Sequence, residues 1–317
     1  MSKFFIVILI FTLLAGCSGS SNVPPSATFT AAATSVESGA ATASPTQAGA
    51  TSVGVETAAA TTTPRPPLAP DEWKTLPAVP AGVSDAMREV YQRGLEMGND
   101  PRRFSIIGDC QNVSSYFLAM FEKPGEFSLG DEYAYLQPTI DYYQGSYSRK
   151  SLAVKGGFNA AAVQSPLRAD PKSCNKNESP LDCELRTWKP SVVFVSMETW
   201  WEGKPEAYNT YMRRVIRRIL ETGAVPIIAT KADNLEGNHS INATIAQIAH
   251  DYDIPLWNFW AAVQPLPNHG LSSDGFHLTF ARNFFDDPVR MKSAWPWRNL
   301  TALQTLDVVR RGLTGQP

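Results

Sequence analysis

The chain lacks a surplus of charge of either sign. Lys and Arg number 28 against 30 Asp and Glu, so no basic excess exists to neutralise a phosphate backbone, and a nucleic-acid partner is disfavoured. Cysteine is scarce, and four residues in 317 exclude a disulfide-dense scaffold. His239, His250 and His269 show no spacing that suggests a metal site. Long apolar runs are missing where a membrane span would need one. Phe4 to Leu14 is apolar apart from Thr12, too short for a helix to cross a hydrocarbon layer of about 30 Å. Ser18 to Pro67 has no Leu, Ile, Met, Trp, Tyr or Lys and cannot bury enough apolar surface to offset its ordering entropy. Across the whole chain, 43% of residues are hydrophobic, enough for a substantial core.

What is present begins with an export signal over residues 1–17. Lys3 precedes the apolar run, which ends in Leu14-Ala15-Gly16-Cys17. Small residues directly before a Cys resemble the bacterial lipobox. The resemblance implies that Cys17 is lipidated and holds the protein on the extracytoplasmic face of a bacterial membrane, with no protein segment crossing it. Residues 18–67, built of Ser, Thr, Ala, Gly and Pro, read as a disordered tether. Residues 68–317 remain for folding, a common size for one α/β domain.

Within that part, apolar spacing after Ser84 predicts a helix from Val83 to Met97. A strand follows at Phe104 to Ile107, then a helix through Tyr116, Phe117, Met120 and Phe121. Ser151 to Lys155 reads as a weaker strand ending at Gly156-Gly157, and Ser191 to Met197 as a strong buried one. Pro205 opens a helix whose Arg213-Arg214 and Arg217-Arg218 pairs mark its solvated face. Val225 to Ala229 is a strand, Ile241 to Tyr252 a helix and Ile254 to Phe259 the last strand. Leu300, Leu303, Leu306 and Leu313 mark a C-terminal helix. Alternating strands and helices argue an α/β three-layer sandwich around a central parallel sheet. Its site is expected beyond the carboxyl ends of the strands.

Two sequence features at those ends carry chemistry. Asp274 stands three residues before His277, placed to orient the imidazole and stabilise its charged form. Cys110 follows a strand and precedes an expected helix, whose positive end favours a thiolate. Gly108-Asp109-Cys110 and Asp274-Gly-Phe-His277-Leu-Thr resemble the first and last blocks of the SGNH, or GDSL-type, hydrolases. The resemblance covers Phe104 to Thr279 and implies a flavodoxin-like sheet and ester hydrolysis. It also implies a Cys110–His277–Asp274 triad and an oxyanion held by the N–H groups of Cys110 and Gly157, without metal or organic cofactor.

Two departures from the family pattern stand out. Cys110 replaces the nucleophilic Ser, and Trp200 occupies the position of an Asn that donates to the oxyanion. Losing such a donor can cost about 3–4 kcal/mol of transition-state stabilisation. Gln111 or Asn112 is then a candidate replacement. Cys174 and Cys183 lie close together in a polar, Pro-containing stretch of an exported chain and are expected to form a disulfide. Cys110 is left with three readings: a working nucleophile, an inert relic, or a buried structural thiol. Asp109 reads as a turn residue that accepts backbone N–H bonds. Trp200 and Trp201 are equally candidates for stacking on a sugar and for ordinary burial, whereas burial is the better reading for Trp257, Trp260, Trp295 and Trp297. His269 is close enough in sequence to line the site. The leading expectation is a tethered esterase acting on a small-molecule or carbohydrate ester. The rival is a non-catalytic binding module on the same scaffold.

Overall fold

Pro190–Ser196 is buried along its whole length, as the unbroken apolar run from Val192 to Val195 requires of a strand covered on both faces. The computed structural model describes residues 65–197 and 204–316. In chain order its elements are α1 (Asp85–Glu96), β1 (Asp100–Gly108), β2 (Phe127–Ser128), α2 (Gln137–Tyr142), α3 (Pro180–Trp188), β3 (Pro190–Ser196) and α4 (Pro205–Glu221). There follow β4 (Val225–Ala229), α5 (Ser240–Tyr252), β5 (Leu256–Trp257), α6 (Phe259–Val263), β6 (Asn283–Phe284) and α7 (Ala294–Thr314). Short 3-10 turns lie between several of them.

The central sheet runs β1-β3-β4-β5, every pair parallel. Ile107 stands opposite Val195 and Gly108 opposite Ser196, so β1 and β3 end together. On one face α4 packs with α5 over β4. On the other, α1 and α7 pack together against β3, β4 and β5. The fold is α/β with a central parallel sheet. Beneath it Phe194 meets Phe104, Phe117 and Trp257 with ring centroids about 6 Å apart. All four are fully buried, an arrangement worth more than its area alone. A second, two-stranded parallel pair joins β2 to β6. It ties the long excursion after β1 to the segment that follows the Asp274–His277 turn.

Local signals account for most of the helices. Ser84 caps α1, its hydroxyl accepting from the Met87 N–H at 3.3 Å. Pro205 stands at the start of α4, where a missing N–H costs nothing. Among the described residues no helix is long and apolar enough to cross a membrane. Cys174 and Cys183 form a disulfide, Cα to Cα 5.3 Å. The fold engages the chain from Arg65, whose guanidinium meets Asp253 at 2.7 Å. The expected signal, lipidated Cys17 and most of the tether lie outside the described residues.

Three expectations are corrected. No α-helix runs through Tyr116–Phe121. Leu118 takes a left-handed conformation, φ 62°, while its N–H donates to Asn299 Oδ1 at 2.8 Å and the Tyr116 carbonyl accepts from Asn299 Nδ2 at 3.1 Å. A side chain of α7 thus supplies the partners a helix would have given, and apolar spacing loses to tertiary contact. The weaker strand Ser151–Lys155 is a single parallel bridge, Val154 beside Gly108. With only Ala153 and Val154 apolar after Leu152, no second pair of residues extends it. The last strand shrinks to Leu256–Trp257 because the Asn258 side chain accepts from the Ala261 N–H and caps α6.

Phe194→Ala removes the ring at the centre of the aromatic cluster. It should lower unfolding free energy by about 3–5 kcal/mol, read from the midpoint of a denaturant titration.

Candidate functional site

Cys110 stands just past β1 because the chain turns sharply there. Gly108 makes the turn possible, since a Cβ at this position would lie 2.4 Å from the Asn112 side chain. Buried Asp109 accepts from the Gln111 N–H at 2.9 Å and from Asn112 Nδ2 at 3.2 Å. The result is a three-residue 3-10 turn, Cys110–Asn112, followed by extended Val113. The expected α-helix behind Cys110 is therefore absent, and with it the helix dipole invoked for a thiolate. The Cys110 side chain is exposed, so the reading as a buried structural thiol is set aside.

Asn112 is corrected as a candidate to contact substrate or replace the lost oxyanion donor. Its amide nitrogen donates to the Ser196 carbonyl at 2.7 Å as well as to Asp109, and its oxygen accepts from Arg298 Nη2 at 3.1 Å. Only 2% of the residue is exposed. Asn112 is a bolt between the ends of β1 and β3. Arg298, equally buried, was missed by the sequence reading. It also donates to Ser196 Oγ at 2.7 Å, and its guanidinium sits about 5 Å from the ring centres of Phe117, Trp257 and Phe259, an arrangement a planar cation favours. Its only sequence signal is an Arg inside an apolar helix whose other faces are also buried.

The loop after the Val154 bridge flanks Cys110. The Gly108 N–H donates to the Ala153 carbonyl, and the Lys155 N–H donates to the Gly108 carbonyl. Of the two glycines that follow, Gly156 lies nearer: a Cβ there would be 3.9 Å from the Cys110 Cβ, while one on Gly157 meets nothing within 4 Å. Gly157 has φ +81°, a conformation that favours glycine.

His277 is held from its own turn. Its Nδ1 lies 2.6 Å from Asp274 Oδ2, while Asp274 Oδ1 accepts the N–H groups of Phe276 and His277 at 3.0 Å. The His277 carbonyl accepts from the Ser272 N–H, and Leu271 bridges Leu278 antiparallel, so the turn is closed at its base. Bonding to His277 and to the two backbone donors holds the Asp274 carboxyl down at about 2. With the Nδ1 side of the ring occupied by Asp274, Nε2 is the nitrogen left for a reacting group.

Cys110 and His277 line one cavity of about 620 Å³, with Gln111, Tyr116, Leu278, Phe280 and Trp295. Gln111 is the remaining amide beside the thiol. His269 is not among the lining residues; it lies in a surface turn, its Nδ1 3.0 Å from the Gln264 carbonyl. His239 packs between Trp73 and Trp260, where burial lowers its pKa. Trp257 is core and Trp295 is buried. Trp200 and Trp201 lie outside the described residues. Among the described residues, Cys174, Glu178 and Cys183 are close enough together to hold an ion, but the disulfide takes both sulfurs.

No protein-family model matches this chain, and no curated protein does. Similar solved structures exist. The psychrotrophic esterase EstA from Pseudoalteromonas sp. is 14% identical, with 65% of this chain and 97% of the esterase covered and a TM-score of 0.41. TesA is 16% identical, covering 67% and 98% at a TM-score of 0.38. A GDSL-like lipase from Bacteroides thetaiotaomicron is 12% identical, covering 70% and 96% at 0.39.

The depressed Asp274 carboxyl fixes the pH range of the turn. Because its folded value lies below the ordinary carboxylate value of about 3.9, the link to His277 is complete above about pH 4 and is lost as pH falls through about 2. A carbon-detected NMR titration should find that low midpoint. His277→Ala should move it upward, short of the ordinary value because two backbone donors remain.

Proposed function

We propose that the protein is an SGNH-type hydrolase that cleaves an ester, with Cys110 as nucleophile, His277 as general base and Asp274 as the group that orients it. The observation that carries this reading is the single cavity shared by the Cys110 thiol and the Asp274-anchored His277 imidazole. In the first half, His277 Nε2 takes the thiol proton and the sulfur attacks the acyl carbon. The C–O bond to the alcohol then breaks, and the imidazolium proton leaves with the alkoxide. In the second half, His277 deprotonates a water that attacks the thioester, releasing the acid and restoring the thiol. The N–H of Cys110 and that of the neighbouring Gly156-Gly157 loop are the candidate oxyanion donors. Lys155 and Phe158 direct their own N–H groups to carbonyls at 3.3 and 3.0 Å. The substrate class proposed is an O-acyl group on a small molecule or carbohydrate.

A second reading, a binding module that has lost catalysis, is favoured by one observation. Tyr116 and Phe280 present exposed rings to the same cavity, a surface suited to holding a ligand without reacting with it.

Activated aryl acetates separate the two readings. The full chain should hydrolyse them, Cys110→Ala and His277→Ala should abolish turnover, and Asp274→Asn should reduce it by about 10²–10⁴-fold. Equal rates in all of these would remove the enzyme reading and leave the module.

We further propose that residues 1–17 direct export and that Cys17 carries the lipid, with residues 18–67 as tether. Expression in a bacterium fed an alkyne-tagged palmitate should label the protein, and Cys17→Ala should abolish the label. Undiminished labelling of that variant would refute the anchor.

A further inference from the structure

Beyond the site cavity lies a second one of about 280 Å³. The two share three residues: Tyr116, Phe280 and Trp295. Tyr116 stacks on Trp295 with centroids 5.5 Å apart and meets Phe280 edge-on at 6.4 Å. These rings form one aromatic ridge with the Cys110–His277 cavity on one side and the second cavity on the other. Phe280 is 65% exposed and Tyr116 48%. Large rings left in water between two cavities are suited to contact a ligand that occupies both.

The second cavity is lined by the charged side chains of Lys123, Glu126 and Arg282, the first by the ionisable Cys110 and His277. Lys123 and Glu126 pair with each other at 3.6 Å, which leaves Arg282 as one positive charge in excess. The carboxylates that follow Arg282 in sequence bond to other groups. Asp286 accepts from the Ser128 hydroxyl at 2.9 Å, and Asp287 pairs with Arg290 at 2.9 Å. Among the described residues no carboxylate lies within salt-bridge distance of Arg282, and its side chain is exposed.

The backbone beneath Arg282 is fixed. Asn283, the next residue, begins β6 opposite Phe127, and its Oδ1 accepts from Asn299 Nδ2 at 2.9 Å inside the core. Arg282 is thus an exposed guanidinium on a pinned base, at the far end of an aromatic ridge that starts beside the thiol. A guanidinium so placed suits an oxyanion such as a carboxylate or phosphate, which it can meet with two parallel N–H bonds.

We infer that the cavity lined by Arg282 is an anion subsite. The ester handled at Cys110 carries a carboxylate or phosphate group, joined to the ester by a ring or short chain that crosses the ridge of Tyr116 and Phe280. This rests on the hydrolase reading for the chemistry at Cys110, but the subsite itself is a matter of binding and is tested separately.

The binding arm uses amides, which resist hydrolysis: acetanilide, 4-acetamidobenzoate and 4-acetamidophenyl phosphate, titrated into the full chain and followed by ligand NMR. At low salt the charged compounds should bind about tenfold more tightly than acetanilide. The preference should fall several-fold between about 20 mM and about 500 mM salt. It should vanish in Arg282→Glu and largely survive in Arg282→Lys. Whichever charged compound is held more tightly identifies the anion. A wild-type preference near unity, or an unchanged one in Arg282→Glu, would overturn the subsite.

The kinetic arm compares phenyl acetate with 4-acetoxybenzoate. A kcat/KM ratio that favours the charged ester, and collapses in Arg282→Glu, is expected. Turnover of both esters without charge preference, together with equal amide binding, would remove the subsite and leave the hydrolase reading standing. A charge-dependent amide affinity lost in Arg282→Glu, with no ester turned over, would remove the hydrolase reading and leave the subsite.

Discussion

Everything at the site depends on one buried knot of hydrogen bonds that locks the end of β1 to the end of β3. Asn112 bridges the Asp109 carboxylate and the Ser196 carbonyl, and Arg298 grips both Asn112 and Ser196. Three elements far apart in sequence are fastened where the sheet stops. Burying this much polarity is tolerable only because the groups answer one another and the guanidinium lies against aromatic faces. The knot supports a turn with no helix of its own, and that turn carries Cys110. The rigidity a long helix would give is supplied from below by side chains.

The opposite wall is held differently. His277 owes its orientation to a carboxylate three residues away in a turn closed by its own backbone, so this half of the site is locally encoded. The two walls are brought to one cavity by α7 and by the pairing of β2 with β6. Asn299 illustrates how compact that arrangement is. One amide serves Leu118, Tyr116 and Asn283, connecting the excursion after β1 to the segment after His277.

This division explains what could be read from the chain. The parallel sheet was legible because Val192 to Val195 and Val225 to Ala229 are continuous apolar runs. The helices α1, α4 and α5 were legible because their apolar residues recur at helical spacing. Asp274 and His277 were legible because their relationship spans four residues. Asn112 and Arg298 were not, because what defines them is each other, across most of the chain. The expected helix at Tyr116–Phe121 failed for the same reason. Its apolar spacing is genuine, yet Phe117, Met120 and Phe121 are buried, and Tyr116 left exposed, by a backbone that Asn299 holds out of helical shape. The strand expected at Ser151–Lys155 is present in placement and absent in length: Val154 does lie alongside Gly108, and one bridge suffices to bring the glycine loop to Cys110.

The two kinds of sulfur in the folded part occupy opposite environments. Cys110 is open to solvent, whereas Cys183 lies on the buried face of α3 and is wholly enclosed. Thiol–disulfide exchange needs an attacking sulfur to approach along the S–S axis; the enclosed Cys183 sulfur resists this, while the half-buried Cys174 sulfur remains the point of approach. A reducing agent therefore meets two sulfurs, Cys110 and Cys174, and not a third. Attack at Cys174 would expel Cys183 as a thiolate into the enclosed interior, so opening the bridge would strand a charge where water cannot reach it.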